Sequence, residues 1–213
     1  MRKIWKALTV ALAAVVLVVG FGVPAASAAY DPDSLIPTGG YNNPCANTTS
    51  TSTNQQPCQT DNGGISVYMQ ASVTTHMEGR IRDSLDNNYD PIAELSIAYV
   101  STPAYSGSAE TDIIYQQAAL PGSFIGLYWC NDAVDSATYK CDQGYVRFTT
   151  NVQYERWGLV CHETGHALGL MHGAESWPTT SNSSSKLGCM RTPFDEENRS
   201  LGPNNVTQLK DTY

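Results

Sequence analysis

Apolar and polar positions divide the 213-residue chain into stretches of different character. Residues 7–23 are an almost unbroken apolar run. Residues 29–63 are rich in Thr, Ser, Asn, Gln and Pro and have no apolar periodicity, which predicts a surface loop or flexible extension. Beyond residue 64 the pattern becomes that of a folded domain. Ile65–Gln70, Glu94–Ser101, Thr111–Gln116, Phe124–Cys130 and Tyr145–Thr150 are predicted strands by their β-branched and aromatic content. From Ser72 to Asn88, Val73, Met77, Ile81 and Leu85 recur every four residues, which predicts an amphipathic helix packed on a sheet. Pro91, after Asp90, closes the connection. Residues 153–170 predict a second helix. Tyr154, Trp157, Leu159, Val160, Ala167, Leu168 and Leu170 cover most of its circumference, so it should be buried. From Gly173 to Lys186 the chain is polar and loop-like.

Within the second helix, residues 162–172 read H-E-x-x-H-x-x-G-x-x-H, and three of the chain's four histidines fall inside these eleven residues. His162 and His166 stack on one helical face, roughly 6 Å apart along the axis, so both rings can reach one ion. Glu163 is rotated by about 100° and cannot be the same kind of ligand, but it can reach a water on that ion. Zinc lowers the pKa of such a water to about 7, and a carboxylate can then take its proton. On a continuous helix His172 would lie roughly 9 Å beyond His166 and about 120° off the ligand face. The chain must therefore turn back, and Gly169 stands where a backbone with positive φ would end the helix. The alternative, a buried helix whose histidines are satisfied core groups, leaves the pairing of Gly169 with His172 unexplained.

This string resembles the signature of the metzincin zinc endopeptidases. The resemblance implies that His162, His166 and His172 are ligands of one catalytic Zn2+ and that Glu163 is the general base. It also implies a methionine turn beneath the metal, for which Met190 in Gly188-Cys189-Met190-Arg191 is the candidate. The implied fold is an α+β domain of α/β/α-like type. It has a twisted, mostly parallel sheet, one antiparallel edge strand (124–130, lining the cleft), an active-site helix and a C-terminal helix. An extended peptide could add to that edge through backbone hydrogen bonds. Residues 191–200 would wall the pocket for the side chain after the scissile bond. Two positions depart from subgroups of the clan. Astacin-like and serralysin-like members carry a tyrosine two residues after the turn methionine, where this chain has Thr192; snapalysin has an aspartate as third ligand, where this chain has His172. The closing segment 201–213 is similar to the C-terminal helix of matrixin catalytic domains. Together these features give a compact matrixin-like or snapalysin-like enzyme. The matrixin cysteine-switch sequence is missing, although residues 29–63 leave room for a short propeptide.

Arg2, Lys3 and Lys6 precede the apolar run, and Pro24 and Ala26-Ser27-Ala28 follow it. That is the layout of a secretory signal peptide, residues 1–28, cut after Ala28. The alternative is a single N-terminal membrane anchor, against which the small-residue site argues. The catalytic domain would then occupy 64–213. Removing the leader leaves nine basic and twenty acidic residues and a net charge of about −11. This is the profile of a secreted, extracellular protein, and it argues against a nucleic-acid partner. A protein or peptide substrate, no membrane association after cleavage and a monomeric state are expected. Six cysteines in an exported chain imply disulfides, with fifteen connectivities open. Sequence proximity suggests Cys45–Cys58 and Cys130–Cys141. The remaining pair, Cys161 and Cys189, would tie the residue before the first ligand to the methionine turn, segments that the clan brings together. Ligation of zinc by Cys161 or Cys189 is the competing reading.

His76 lies beside the apolar stripe of the first helix and reads as a surface or boundary histidine. Asp83, Asp86, Asn87, Asn88 and Asp90 could take a structural Ca2+, but their spacing matches no loop motif and a solvated helix end is the expectation. Asn47, Asn182, Asn198 and Asn205 begin N-x-S/T sequons. Two other functions compete with the endopeptidase. One is a secreted, catalytically silent zinc-binding protein of metzincin fold. The other is a thermolysin-type hydrolase with Glu196 or Glu197 as third ligand, which would make Gly169 and His172 coincidental.

Overall fold

The computed structural model describes residues 32–38, 44–53, 55–107, 109–134 and 139–213. The leader and its cleavage site lie outside the described residues. The first helix, α1 (Thr75–Ser84), begins where Thr74 caps it, its hydroxyl accepting from the Met77 amide at 3.1 Å. Val73 therefore falls just before the cap, while Met77 and Ile81 are fully buried along the expected stripe. The chain continues into a π-helical turn, Leu85–Tyr89, rather than ending at Asn88. Tyr89 is fully buried at the end of that turn, and its hydroxyl donates to the Cys161 carbonyl at 2.5 Å.

The strands are β1 (Gln59–Thr60), β2 (Gly64–Met69), β3 (Ser96–Tyr99), β4 (Ile113–Gln117), β5 (Gly126–Ala133) and β6 (Lys140–Phe148). They form one sheet in the order β1-β6-β4-β2-β3, parallel throughout, with β5 joined antiparallel to β6 alone. Parallel neighbours need a long crossover, and α1 with its π turn supplies the one between β2 and β3. The antiparallel β5–β6 pair needs none. The architecture is thus of α/β type: among the described residues, a mostly parallel sheet with one antiparallel strand and three α-helices. Ile65, Val67, Ile113, Tyr115, Val146 and Phe148 of the sheet share one core with Met77, Ile81 and Leu85 and with Leu159 and Val160 of helix α2 (Trp157–Ala167). Helix α3 (Pro203–Thr212) closes the chain, starting with proline at its first turn, where the missing N–H is no loss.

Part of the polar stretch 29–63 is built into this unit. Leu35, Ile36, Cys45 and Cys58 are buried, and Gln59–Thr60 pairs with Lys140–Cys141 of β6. Backbone hydrogen bonds tie Met171 to Ser34 (2.7 Å) and Ile36 to Gly169 (3.0 Å). Backbone pairing needs no alternation of side chains, so the composition did not announce it. The disulfides are Cys45–Cys58, Cys130–Cys141 and Cys161–Cys189, and no cysteine is free. No helix among the described residues is long and apolar enough to cross a membrane.

Asp86 accepts from the Tyr99 hydroxyl, Asn87 bonds Asp83, Asn88 donates to the Arg199 carbonyl and Asp90 accepts from the Ile97 amide. These side chains brace the end of α1 against β3 and the chain near residue 199. His76 is largely exposed, and its Nδ1 lies 2.5 Å from Glu155 Oε2.

Replacing Tyr89 with Phe removes a buried hydrogen bond between the π turn and α2, which is expected to destabilise the protein by about 1 kcal/mol. Chemical denaturation measures this, and an unchanged midpoint would mean that the hydroxyl contributes nothing.

Candidate metal centre

Helix α2 carries His162 and His166 one turn apart, with Glu163 next to the first, and ends at Ala167 with Leu168 as its C-cap. Gly169 follows with φ of +89°, a left-handed conformation that side chains rarely adopt, and an added Cβ would come within 2.7 Å of Gln59 Cγ. That turn reverses the chain and brings His172 back to the helix. The Nε2 atoms of His166 and of His172 each lie 3.1 Å from Nε2 of His162. Two ligands at about 2.1 Å in tetrahedral array around zinc would be about 3.4 Å apart, so the spacing is that of donors sharing one small cation.

The far side of each ring determines which nitrogen faces inward. His162 Nδ1 lies 2.7 Å from the Cys189 carbonyl, and His166 Nδ1 lies 2.7 Å from the Leu170 carbonyl. A carbonyl only accepts, so both Nδ1 atoms carry the hydrogen and both Nε2 atoms present lone pairs. His172 Nδ1 is 3.6 Å from Glu175 Oε2. Burial, reinforced by His172, holds the His162 imidazolium pKa down at about 4, and burial likewise lowers His166 and His172. The rings are therefore neutral at neutral pH, which is the ligating form. Lone pairs facing one another at 3.1 Å repel, and a cation between them removes that repulsion. The donor set fits a zinc-like ion held by His162, His166 and His172.

Glu163 is buried in the wall of the same cavity, about 750 Å³ in volume, into which the three histidines open. Without a cation, burial pushes its carboxyl up to about 8. A positive charge among the histidines would draw it back down. A side chain at Gly126 of β5 would overlap Glu163, so that glycine lets the strand approach the carboxylate closely.

Beneath the helix, Met190 is fully buried. A Cβ at Gly165, between the two helical histidines, would overlap Met190 Sδ. The Cys161–Cys189 bridge joins the residue before His162 to the residue whose carbonyl orients it. Both sulfurs are thereby spent. Among the described residues the other group of potential ligands, Cys45, Cys130 and Cys141, is also disulfide-bonded. Glu196 pairs with Arg156, and neither Glu196 nor Glu197 belongs to the histidine group. Thr192 and Phe194 line the cavity from the 191–200 segment.

Sequence reasoning did not single out Glu175 or the carbonyls of Cys189 and Leu170. Glu175 had a signal: it lies three residues after His172, and its carboxylate accepts from the His172 amide at 3.3 Å, as in a capping box. The carbonyls had none. The cavity is also walled by residues of the Cys45–Cys58 segment, which the composition suggested was a surface loop or flexible extension.

No protein-family model and no curated protein matches the chain. Among solved structures it is similar to metalloproteinase-II from Bacteroides fragilis, with 9% sequence identity and a TM-score of 0.41. The match covers 82% of this chain and 58% of that chain.

Zinc at a thousandfold excess over its dissociation constant should raise the melting temperature by roughly 10 °C, from about 4 kcal/mol of linkage. His166→Ala should abolish that rise, and an equal rise in the variant would remove the triad as the binding site. Gly165→Ala is expected to destabilise by about 1–3 kcal/mol through overlap with Met190. In a Met190→Ala background the same change should become neutral or stabilising, since alanine favours helix over glycine. Additive effects in denaturation would show that the two side chains do not meet.

Proposed function

We propose that the chain is an exported zinc-dependent endopeptidase of metzincin type, acting as a monomer. One observation carries the reading: three imidazole Nε2 atoms, those of His166 and His172 each 3.1 Å from that of His162, share a cavity with a buried carboxylate, beside a sheet edge. Residues 1–28 would serve as the signal peptide, and the three disulfides suit an extracellular setting.

Zinc held by His162, His166 and His172 would supply Lewis acidity, activating a water and polarising the scissile carbonyl. Glu163 accepts a proton from the attacking water and delivers it to the leaving amine nitrogen. A buried carboxylate suits both halves of that transfer, because its affinity for the proton lies nearer neutrality than that of an exposed one. The Cys189 and Leu170 carbonyls hold two of the rings in the tautomer that ligates. The Glu175 carboxylate lies 3.6 Å from His172 Nδ1, beside the third ring. Met190, packed under Gly165, supports the floor. Gly126 and Tyr128 of β5 border the cavity and offer backbone groups to an extended peptide, a mode of recognition that reads main chain more than side chains. Thr192 and Phe194 bound the pocket beyond the reacting bond.

The test compares casein cleavage by zinc-loaded wild type and Glu163→Ala at equal zinc content. The variant is expected to keep its zinc and to lose about 10³-fold or more of the activity. Near-normal turnover in the variant would defeat the assignment of the base. Zinc binding with no cleavage by either protein would favour a silent zinc-binding protein.

A further inference from the structure

The segment closed by Cys45–Cys58 is attached to the edge of the sheet at the cleft. The Thr48 amide donates to the Cys130 carbonyl at 2.7 Å, and the Thr48 hydroxyl donates to the same oxygen at 3.1 Å. The Ala133 amide donates to Asn47 Oδ1 at 2.6 Å. These atoms belong to β5, whose other side is paired with β6.

Along an antiparallel pair, residues alternate between those that bond the partner strand and those that direct both backbone groups away from it. Cys130 directs its carbonyl away from β6, and the register from Gly126 to Cys130 is unbroken. Gly126 and Tyr128 therefore face the same way as Cys130. They also border the cavity that holds the histidines, and Gly126 abuts Glu163. Ser50, Thr51, Ser52, Thr53 and Gln55 border that same cavity. The chain's own polar segment thus takes up the edge from Cys130 onward and stands across the end of the cleft.

We infer that the Cys45–Cys58 segment is a specificity element that limits how much of a peptide strand the cleft accepts on the N-terminal side of the reacting bond. The occupant is a peptide strand paired antiparallel with β5, whose N-terminal residues then run from Gly126 towards Cys130. At about 3.3 Å per residue, the distance from Gly126 to Cys130 spans roughly 13 Å, or about four residues, before the strand meets Thr48. Residues beyond the fourth gain no pairing with β5. The segment's hydroxyls and amides make the last position on that side a polar one. The inference rests on the endopeptidase reading, which names the occupant.

The experiment uses full-length mature protein and two peptides built on a casein site that the wild type cleaves. They carry four or eight residues before the scissile bond and share the same C-terminal part. Two variants release the edge. Asn47→Ala with Thr48→Pro removes the bonds to β5; in the second, residues 46–57 are replaced by a short Gly-Ser linker between the retained cysteines. For each protein the readout is kcat/KM on the long peptide relative to its own value on the short one. The wild type is expected to change by less than about twofold, and a released variant to gain about tenfold, the worth of one to three net hydrogen bonds. A tenfold gain in the wild type, or no gain in either variant, overturns this inference and leaves the endopeptidase reading standing. Failure of zinc-loaded wild type to cleave casein or any peptide removes that reading, and this one with it.

Discussion

Three imidazole Nε2 atoms gathered around one point, those of His162 and His166 with their lone pairs turned inward, is an arrangement that a folded chain must enforce, because without a cation those lone pairs repel. The enforcement comes from behind the rings. The Cys189 and Leu170 carbonyls each accept from an Nδ1–H and so decide which nitrogen faces inward. Leu170 can present its carbonyl to His166 because Gly169, at φ of +89°, has just reversed the chain. Cys189 can present its own to His162 because the disulfide anchors it beside the start of the ligand run.

Small residues then set how closely the parts approach. Gly165 leaves room for Met190 under the helix, and Gly126 leaves room for Glu163 beside the edge strand. The reversal at Gly169 is braced from outside by residues 34 and 36, which bond the backbone of Met171 and Gly169. A segment of unremarkable composition thereby contributes to the geometry of the third histidine. The Cys45–Cys58 segment is comparable: mostly polar, yet anchored to β5 and walling the cleft.

Much of the helical scaffold was legible in the apolar pattern. The four-residue stripe of Met77, Ile81 and Leu85 faces the core from α1 and its π turn, and α2 lies within the segment 153–170 whose apolar residues encircle it. Strand positions were legible to within a few residues. The largest shift is at β6, which starts at Lys140 rather than Tyr145, because its first residues pair with β1 and β5 and are held by Cys141. β1 was invisible, since two polar residues joined through backbone hydrogen bonds carry no periodicity.

What the sequence determined by itself was the chemistry available: the spacing of three histidines, a carboxylate beside the first, a glycine where the helix must stop and an even set of cysteines. The first three are local facts, set by helical geometry and residue type over eleven positions, and the cysteine count is a fact of composition. Only the tertiary structure decided which carbonyls orient the rings, which cysteines pair, how close Gly126 comes to Glu163 and what stands at the end of the cleft. Each of these joins residues far apart in the chain, often through backbone atoms that every residue possesses. Backbone groups are the same at every position, so their partners become known only when the chain has folded.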